Sequence, residues 1–68
     1  MLIEKFDYYD RENDSYVLYD TNYLSLPLDG VIKIKDGELT WTCYVSNVTY
    51  LKRCGKYRYT FKVMGGGL

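Results

Sequence analysis

The fold is decided by residues 31–45, which read VIKIKDGELTWTCYV. Apolar and polar residues alternate on both sides of the Asp36-Gly37 pair, and a period of two is typical of strands with one buried face. An Asp-Gly pair also tolerates the positive φ angles of a two-residue hairpin turn. The segment therefore predicts a β-hairpin. Its predicted cross-strand pairs are Lys35–Glu38, Ile34–Leu39, Lys33–Thr40 and Ile32–Trp41.

The flanking segments predict further strands. Residues 57–63 alternate in the same way, so we expect Tyr57, Tyr59, Phe61 and Val63 on one face. Residues 2–9 and 15–20 are rich in aromatic and β-branched side chains, and the polar residues 10–14 between them favour a second hairpin. Residues 21–30 contain Pro27 and are expected to form an ordered loop.

The segment between the central hairpin and the last strand has two interpretations. Ser46 or Asn47 suits the cap of a short helical turn that Gly55 would end, and a bent strand over residues 48–51 fits nearly as well. We predict the helical turn. The expected fold is mainly β, with five antiparallel strands in a small barrel or curled sheet. Residues 1–64 form one domain in this prediction, and residues 65–68 form a glycine-rich tail.

The order of elements resembles that of SH3-type small barrels, in which a short helical turn precedes the fifth strand. Residues 17–20, Val-Leu-Tyr-Asp, are similar to the Ala-Leu-Tyr-Asp motif of that family. The resemblance implies an SH3-like order of strands. It does not extend to the binding of proline-rich ligands, because Trp41 falls in the fourth predicted strand and on its core face.

The predicted core combines the inward positions of these strands. It consists of Phe6, Leu18, Ile32, Ile34, Leu39, Trp41, Cys43, Val45, Phe61 and Val63.

Length and composition argue against several functional classes. A chain of 68 residues buries one thin core and leaves little room for an active-site cavity. It has no histidine, so the commonest general base and metal ligand is missing, and two cysteines alone fall short of a four-ligand zinc site. We therefore expect a protein that is not an enzyme and has no metal or cofactor, with Cys43 and Cys54 as buried thiols. Glu4 and Lys5 interrupt any secretory segment, and a cytoplasmic location is expected.

The charges are balanced in total but divided along the chain. Residues 1–30 carry seven acids and two bases, whereas residues 31–68 carry seven bases and two acids. Acidic and basic strands could pair across the sheet and neutralise each other. Alternatively, the two halves could form two opposed binding faces.

The chain has nine tyrosines, and several of them lie among acids near the N-terminus. Tyrosine offers a large, rigid contact area and is enriched in protein interfaces, although a polar loop that only keeps a strand edge soluble is also consistent. Acids along a strand edge can also imitate phosphates, which suggests a phage-type or mobile-element inhibitor of a nucleic-acid enzyme. We predict capture of a protein partner here. The candidate residues are Tyr8, Tyr9, Asp10, Glu12, Asp14 and Tyr16.

Residues 52–62 carry five bases and no acid, which supports an alternative function. Bases interleaved with aromatic residues can bind single-stranded nucleic acid. If the aromatic residues face the core, only charge remains outside, and a solvated strand face is then the simpler interpretation. The candidate nucleic-acid ligands are Lys52, Arg53, Lys56, Arg58 and Lys62.

Two further hypotheses concern the end of the chain and the sheet edges. Residues 61–67 are similar to the ends of ubiquitin-like sulfur carriers, which implies a carrier function if Leu68 were removed. Those families place a full helix where this chain has residues 21–30. An unpaired strand edge would also allow a homodimer.

Overall fold

The computed structural model describes residues 1–66, which form a single mixed sheet of six strands. The strands are β1 Leu2–Ile3, β2 Tyr8–Asp10, β3 Ser15–Asp20, β4 Val31–Asp36, β5 Leu39–Leu51 and β6 Lys56–Gly66. Their order across the sheet is β1-β4-β5-β6-β3-β2. β1 runs parallel to β4, and the other neighbours are antiparallel.

The mainly β class is confirmed, but the five-stranded barrel with a helical turn is wrong. The described residues form six strands and no helix, and the sheet does not close into a barrel. The last strand, β6, lies between β5 and β3 in the middle of the sheet. The SH3-like order of elements is therefore not found.

The central hairpin is confirmed, but its predicted register is wrong by two residues. The structure pairs Ile34 with Trp41 and Ile32 with Cys43, so that Gly37 and Glu38 form the turn. Only Gly37 of this pair has a positive φ, at 64°, and a glycine at the first central position suits a type II′ turn. A shift of two residues preserves the alternation, and the same side of each strand remains buried.

Residues 46–51 continue β5 instead of forming the predicted helical turn. The register shifts between Val45 and Asn47, which leaves Ser46 as an extra residue in a β-bulge. The hydroxyl of Ser46 donates a hydrogen bond to the Thr60 carbonyl oxygen at 3.1 Å. After the bulge, Val48 pairs with Tyr59, so the even-numbered residues of β5 now share a face with the odd-numbered residues of β6. Gly55, with φ at 65°, lies in the turn that joins the two strands.

The N-terminal hairpin is confirmed in a shorter form. β2 pairs with β3 from Tyr8–Val17 to Asp10–Ser15. Residues 2 and 3 separate from this hairpin and pair with β4 on the far side of the sheet. The predicted first strand is thus divided between the two opposite edges of the sheet.

The core lies on one face, here called the core face, and its centre is in β5 and β6. Cys43, Val45, Tyr59 and Phe61 are fully buried, and the rings of Tyr59 and Phe61 are parallel, with centroids 6.0 Å apart. Phe6, Trp41 and Val63 pack against this cluster but remain partly exposed. Leu39 was predicted inside but is 42 % exposed, because it follows the turn at the end of the sheet. The core residues that the prediction did not contain are Ile3, Tyr16, Leu26 and Tyr59.

Loop 21–30 crosses the core face and is held there by Tyr59. The Tyr59 hydroxyl accepts a hydrogen bond from the Leu24 amide at 2.7 Å and donates one to the Asn22 carbonyl at 3.3 Å. Leu26 of the same loop is buried in the core. At the other end, the Tyr16 hydroxyl of β3 donates to the Asp36 carboxylate of β4 at 2.8 Å. The sheet is therefore curled enough for β3 and β4 to meet above β5 and β6.

Two glycines of the predicted tail belong to the sheet. Gly65 and Gly66 belong to β6 and pair with Thr42 and Trp41, whereas residues 67 and 68 lie outside the described part of the chain. Gly66 has a φ of 107°, and a Cβ atom there would stand 2.9 Å from the Thr40 carbonyl oxygen. Close backbone approach is thus a structural reason for glycine at this position.

Within residues 1–66, no helix has the length and apolar character required to cross a membrane.

We predict that Tyr59→Phe lowers the free energy of unfolding by about 1–3 kcal/mol. The ring is retained, but the Leu24 amide loses its acceptor in a partly buried site. Urea denaturation followed by circular dichroism measures the change. Tyr23→Phe is the matched control, because Tyr23 is 56 % exposed, and it should stay within about 0.5 kcal/mol of the native chain. Equal stability of the two variants would contradict the role of the Tyr59 hydroxyl.

Candidate functional site

The second face of the sheet, here called the outer face, carries most of the basic side chains. The alternation that turns Tyr59 and Phe61 inward turns the even-numbered residues of β6 outward. In β4 the residues between the buried Ile32 and Ile34 point the same way. The basic residues on the outer face are Lys33, Lys35, Lys56, Arg58 and Lys62.

These bases do not pair with acids across the sheet. Lys33 and Lys35 face Thr42 and Thr40, and Lys56 faces Leu51. Arg58 has Tyr19 and Thr49 as neighbours, and Lys62 has Ser15 and Tyr44. None of these bases is directly opposite an acid, although Asp10 lies on the same face and lines one groove with Arg58 and Lys62.

A shallow groove of about 400 Å³ lies on the outer face, where β2, β3 and β6 meet. It brings together residues from both predicted surfaces, since Tyr8 and Asp10 line it together with Arg58 and Lys62. Val17 forms its apolar floor and is only 4 % exposed. An anionic or aromatic group fits the base-lined side of this groove best.

The turn that follows β2 is held by its own hydrogen bonds. The Asp10 carboxylate accepts hydrogen bonds from the Glu12 amide at 3.1 Å and from the Asn13 side-chain amide at 2.8 Å. The Ser15 hydroxyl donates to the Asn13 carbonyl at 2.9 Å. The hydrogen bond from Asn13 is the main reason why the pKa of Asp10 lies below its ordinary value. These contacts define the shape of the turn.

Tyr8 and Tyr9 lie on opposite faces at the edge strand β2. Tyr8 is 48 % exposed and lines the groove, while Tyr9 is 40 % exposed and packs against Tyr16 with ring centroids 4.8 Å apart. The Tyr9 hydroxyl donates to the Asp14 carboxylate, and this hydrogen bond raises the pKa of Tyr9. We call Tyr8, Tyr9, Asp10, Glu12 and Asp14 the tyrosine–acid rim.

Tyr16, the sixth predicted partner-binding residue, is not part of this surface. It is 3 % exposed because its position in β3 faces the core, where Phe6 packs edge-on against it at 4.6 Å. Burial and the hydrogen bond to Asp36 raise the pKa of Tyr16. Its ring packs against the ring of Tyr9. Both rings line a cleft of about 210 Å³ together with Asp14, Asp36 and Trp41.

The acids are concentrated at one end of the molecule. The Tyr16–Asp36 hydrogen bond and the bond from the Val63 amide to the Asp14 carbonyl, at 3.0 Å, bring the turns at residues 11–14 and 37–38 to the same end. This end carries Asp10, Glu12, Asp14, Asp36 and Glu38. Lys52 and Arg53 lie in the turn at the far end of β5 and β6, along a molecule whose longest dimension is 37 Å.

The two cysteines have different surroundings and are not bonded to each other. Cys43 is buried as predicted, and burial raises the pKa of its thiol to about 11. The prediction of a buried Cys54 is wrong, because this residue lies in the exposed turn after β5. A thiol whose pKa is raised is a weak nucleophile at neutral pH, so Cys43 acts as a core residue.

The basic surface also includes residues of β4, which the sequence patterns did not indicate. Lys33 and Lys35 alternate with buried isoleucines, and that local signal shows that they face outward. Their place beside the bases of β6 depends on the strand order, which no local pattern reveals. Tyr44, half-buried on β5, lies between Val31 of β4 and Lys62 of β6 in the observed register.

No protein-family model, curated protein or solved structure matches this chain.

We predict that NMR titration of the side-chain carboxyl carbons gives Asp10 a pKa below the ordinary value of about 3.9. Because the folded-state pKa is lowered, the stability that Asp10 contributes is present above its unfolded-state pKa and is lost as the pH falls through the folded-state value. Asn13→Ala removes the main cause and should return the pKa toward the ordinary value. An Asp10 pKa that Asn13→Ala leaves unchanged would contradict the assigned cause.

Proposed function

We propose that this chain is a non-enzymatic cytoplasmic binding protein that captures a protein partner through the tyrosine–acid rim. The observation that carries the proposal is the geometry of β2 and its turn. Two exposed tyrosines project from opposite faces of an edge strand, and hydrogen bonds within the chain hold the acids beside them. Such a surface loses little conformational entropy when it binds, which favours affinity.

The backbone around the rim is also fixed. The Asp7 amide donates to the Val17 carbonyl at 2.8 Å, and the Asp7 carboxylate accepts from the Tyr19 amide at 2.6 Å. The entry to β2 is thus bonded to β3 on one side of the rim, and the Val63 amide bonds its turn on the other. Rigid aromatic residues of this kind are the usual anchors of protein interfaces.

The charges of the rim favour a basic partner surface. Five carboxylates lie at this end of the molecule, and the bases of β4 and β6 lie mostly on the outer face. Acids held on a rigid turn can replace phosphates in a groove that binds nucleic acid. We therefore propose a nucleic-acid enzyme as the partner, with this protein as its inhibitor.

The proposal is tested by replacing Tyr8, Tyr9 and Asp10 together with alanine. Immobilised chain and an extract of its native cell are compared by quantitative mass spectrometry. The triple variant should retain at least about tenfold less of the captured partner, since interface anchors contribute about 2 kcal/mol or more each. Because Asp10 holds the turn through two hydrogen bonds and Tyr9 packs against Tyr16, circular dichroism is used to confirm that the variant is folded at the temperature of the capture experiment.

The matched control carries three alanines outside the rim and outside the acidic end, at the exposed residues Glu4, Tyr23 and Leu28. It should capture the partner as the native chain does. Equal capture by the rim variant and the native chain would refute the proposed surface. Excess single-stranded oligonucleotide should release the partner if it is a nucleic-acid enzyme, and retention would exclude that class.

A second candidate function is the binding of a single-stranded nucleic acid by the outer face. The observation that favours it is the group of five bases on one open side of the sheet, none of them directly opposite an acid. Tyr8 is exposed beside Arg58 and offers a ring for stacking. Charge with one or two stacking residues gives modest and salt-dependent affinity.

Fluorescence anisotropy with a labelled oligothymidylate tests this candidate. We expect log K to fall with log salt concentration with a slope of about −2 to −3, which corresponds to three or four neutralised phosphates. Lys33→Glu with Lys62→Glu should abolish binding. Lys5→Glu with Arg11→Glu, an equal change of charge away from the outer face of β4 and β6, should have a smaller effect. Absent or salt-independent binding would exclude this function.

A further inference from the structure

Beside the second half of β5, the position of a neighbouring strand is empty within residues 1–66; we call this open position along residues 46–51 the lane. β4 pairs with β5 only as far as Tyr44, and the loop then adds hydrogen bonds from the Val45 amide to the Gly30 carbonyl and from the Asp29 amide to the Val45 carbonyl. Along residues 46–51, β5 pairs with β6 on one side, and no other strand of residues 1–66 lies on the other side. The lane is about 20 Å long, at about 3.3 Å for each residue.

The backbone of this segment is oriented for further pairing. The Val45 amide and carbonyl point away from β6 into the lane, where the loop binds them. Three pairs involve every second residue of β6, namely Val45–Phe61, Val48–Tyr59 and Tyr50–Tyr57. They are therefore of the same kind, in which the two residues do not hydrogen-bond to each other. By the alternation of antiparallel ladders, the N–H and C=O groups of Val48 and Tyr50 also point into the lane.

Apart from the bulge at Ser46, this edge has none of the usual protection against pairing. Residues 46–51 read SNVTYL and contain no charge and no proline. Protected edge strands are typically short, charged, bulged away or covered. The other two edges of the sheet follow this rule, since β1 has two residues and β2 has three.

Charges of opposite sign lie at the two ends of the lane. Asp29 is exposed beside Val45 at one end, and Lys52 and Arg53 follow Leu51 at the other. A parallel partner would place like ends together. An antiparallel copy of the same strand places the bases of each chain next to the acid of the other, so the edge is complementary to itself.

We propose that a second copy of this chain pairs antiparallel along residues 46–51, with a two-fold axis through Thr49. In an antiparallel ladder, directly opposed side chains lie on the same face of the sheet. A two-fold axis perpendicular to the sheet keeps each face on its own side, so one residue must lie directly opposite its own copy, with the axis between them. With Thr49 at the axis, Val48 of one protomer lies opposite Tyr50 of the partner subunit. Both point their backbone groups into the lane, and the two such pairs form four hydrogen bonds.

This register also brings opposite charges together at the two ends of the lane. Lys52 of each chain lies opposite Ser46 of the other, beside Asp29. An axis at Val48 would instead oppose Leu51 to Val45, whose backbone groups already bind the loop. In the dimer the two sheets join edge to edge through β5, with both outer faces on the same side. The proposal goes beyond capture through the rim and does not depend on it, because the rim lies at the other edge.

Thr49→Lys tests the axis directly. Two lysines would lie opposite each other across it, and like charges in that position destabilise pairing. Sedimentation of the native chain at rising concentration should show a dimer, and the variant should raise its dissociation constant by about fivefold or more. Thr49→Glu should act in the same way, and an equal mixture of the two variants should form the dimer again. Thr21→Lys, in the exposed loop, is the matched control and should sediment as the native chain does.

A monomeric native chain at every concentration would overturn the proposal, and so would variants that remain dimeric or a mixture that remains monomeric. A cross-link covers the case in which the charged variants fail to fold. In a Cys54→Ser background, Thr49→Cys should oxidise to a disulfide-linked dimer, because opposed residues lie within disulfide reach. Asn47→Cys should not, since its two copies lie four residues apart along the sheet. Equal cross-linking of both, or of neither, would also overturn the axis.

Discussion

The structure depends on the inward alternation of β6, the strand that lies between β5 and β3. Tyr59 and Phe61 face the core, and because both neighbours pair with them, this alternation determines the buried side of β3 and β5 as well. The bulge at Ser46 changes which residues of β5 face the core, so that Val48 shares a face with Tyr59 as Val45 does with Phe61. The Tyr59 hydroxyl then binds loop 21–30 and closes the core face without a further strand.

Loop 21–30 covers the core face, and the remaining surfaces of the protein differ in their side chains. The buried core cluster lies on the core face, the bases of β4 and β6 lie on the outer face, and five of the nine acids lie at one end. A 68-residue chain has little interior to spare for a cavity, and both functions proposed above use these surfaces. The tyrosines follow the same division, with Tyr16 and Tyr59 inside and Tyr8 and Tyr9 exposed.

Local patterns predicted the mainly β class, the two hairpins and most of the core, because alternation is a property of each strand by itself. The strand order was not predictable in this way. The parallel pairing of residues 2 and 3 with β4 and the bulge at Ser46 both depend on contacts between distant segments. For the candidate site, the exposed turn after β2 was predictable from its composition. The burial of Tyr16 and the place of Lys33 beside Lys62 follow only from the order of the strands.

The most direct test of this account is the solvent accessibility of the individual tyrosine rings, measured by NMR with a soluble paramagnetic gadolinium chelate. We expect the ring signals of Tyr16 and Tyr59 to be almost unaffected and those of Tyr8 and Tyr9 to be strongly broadened. Broadening of Tyr59 equal to that of Tyr8 would contradict the inward alternation of β6, and the assignment of the core, the outer face and the rim would fail with it.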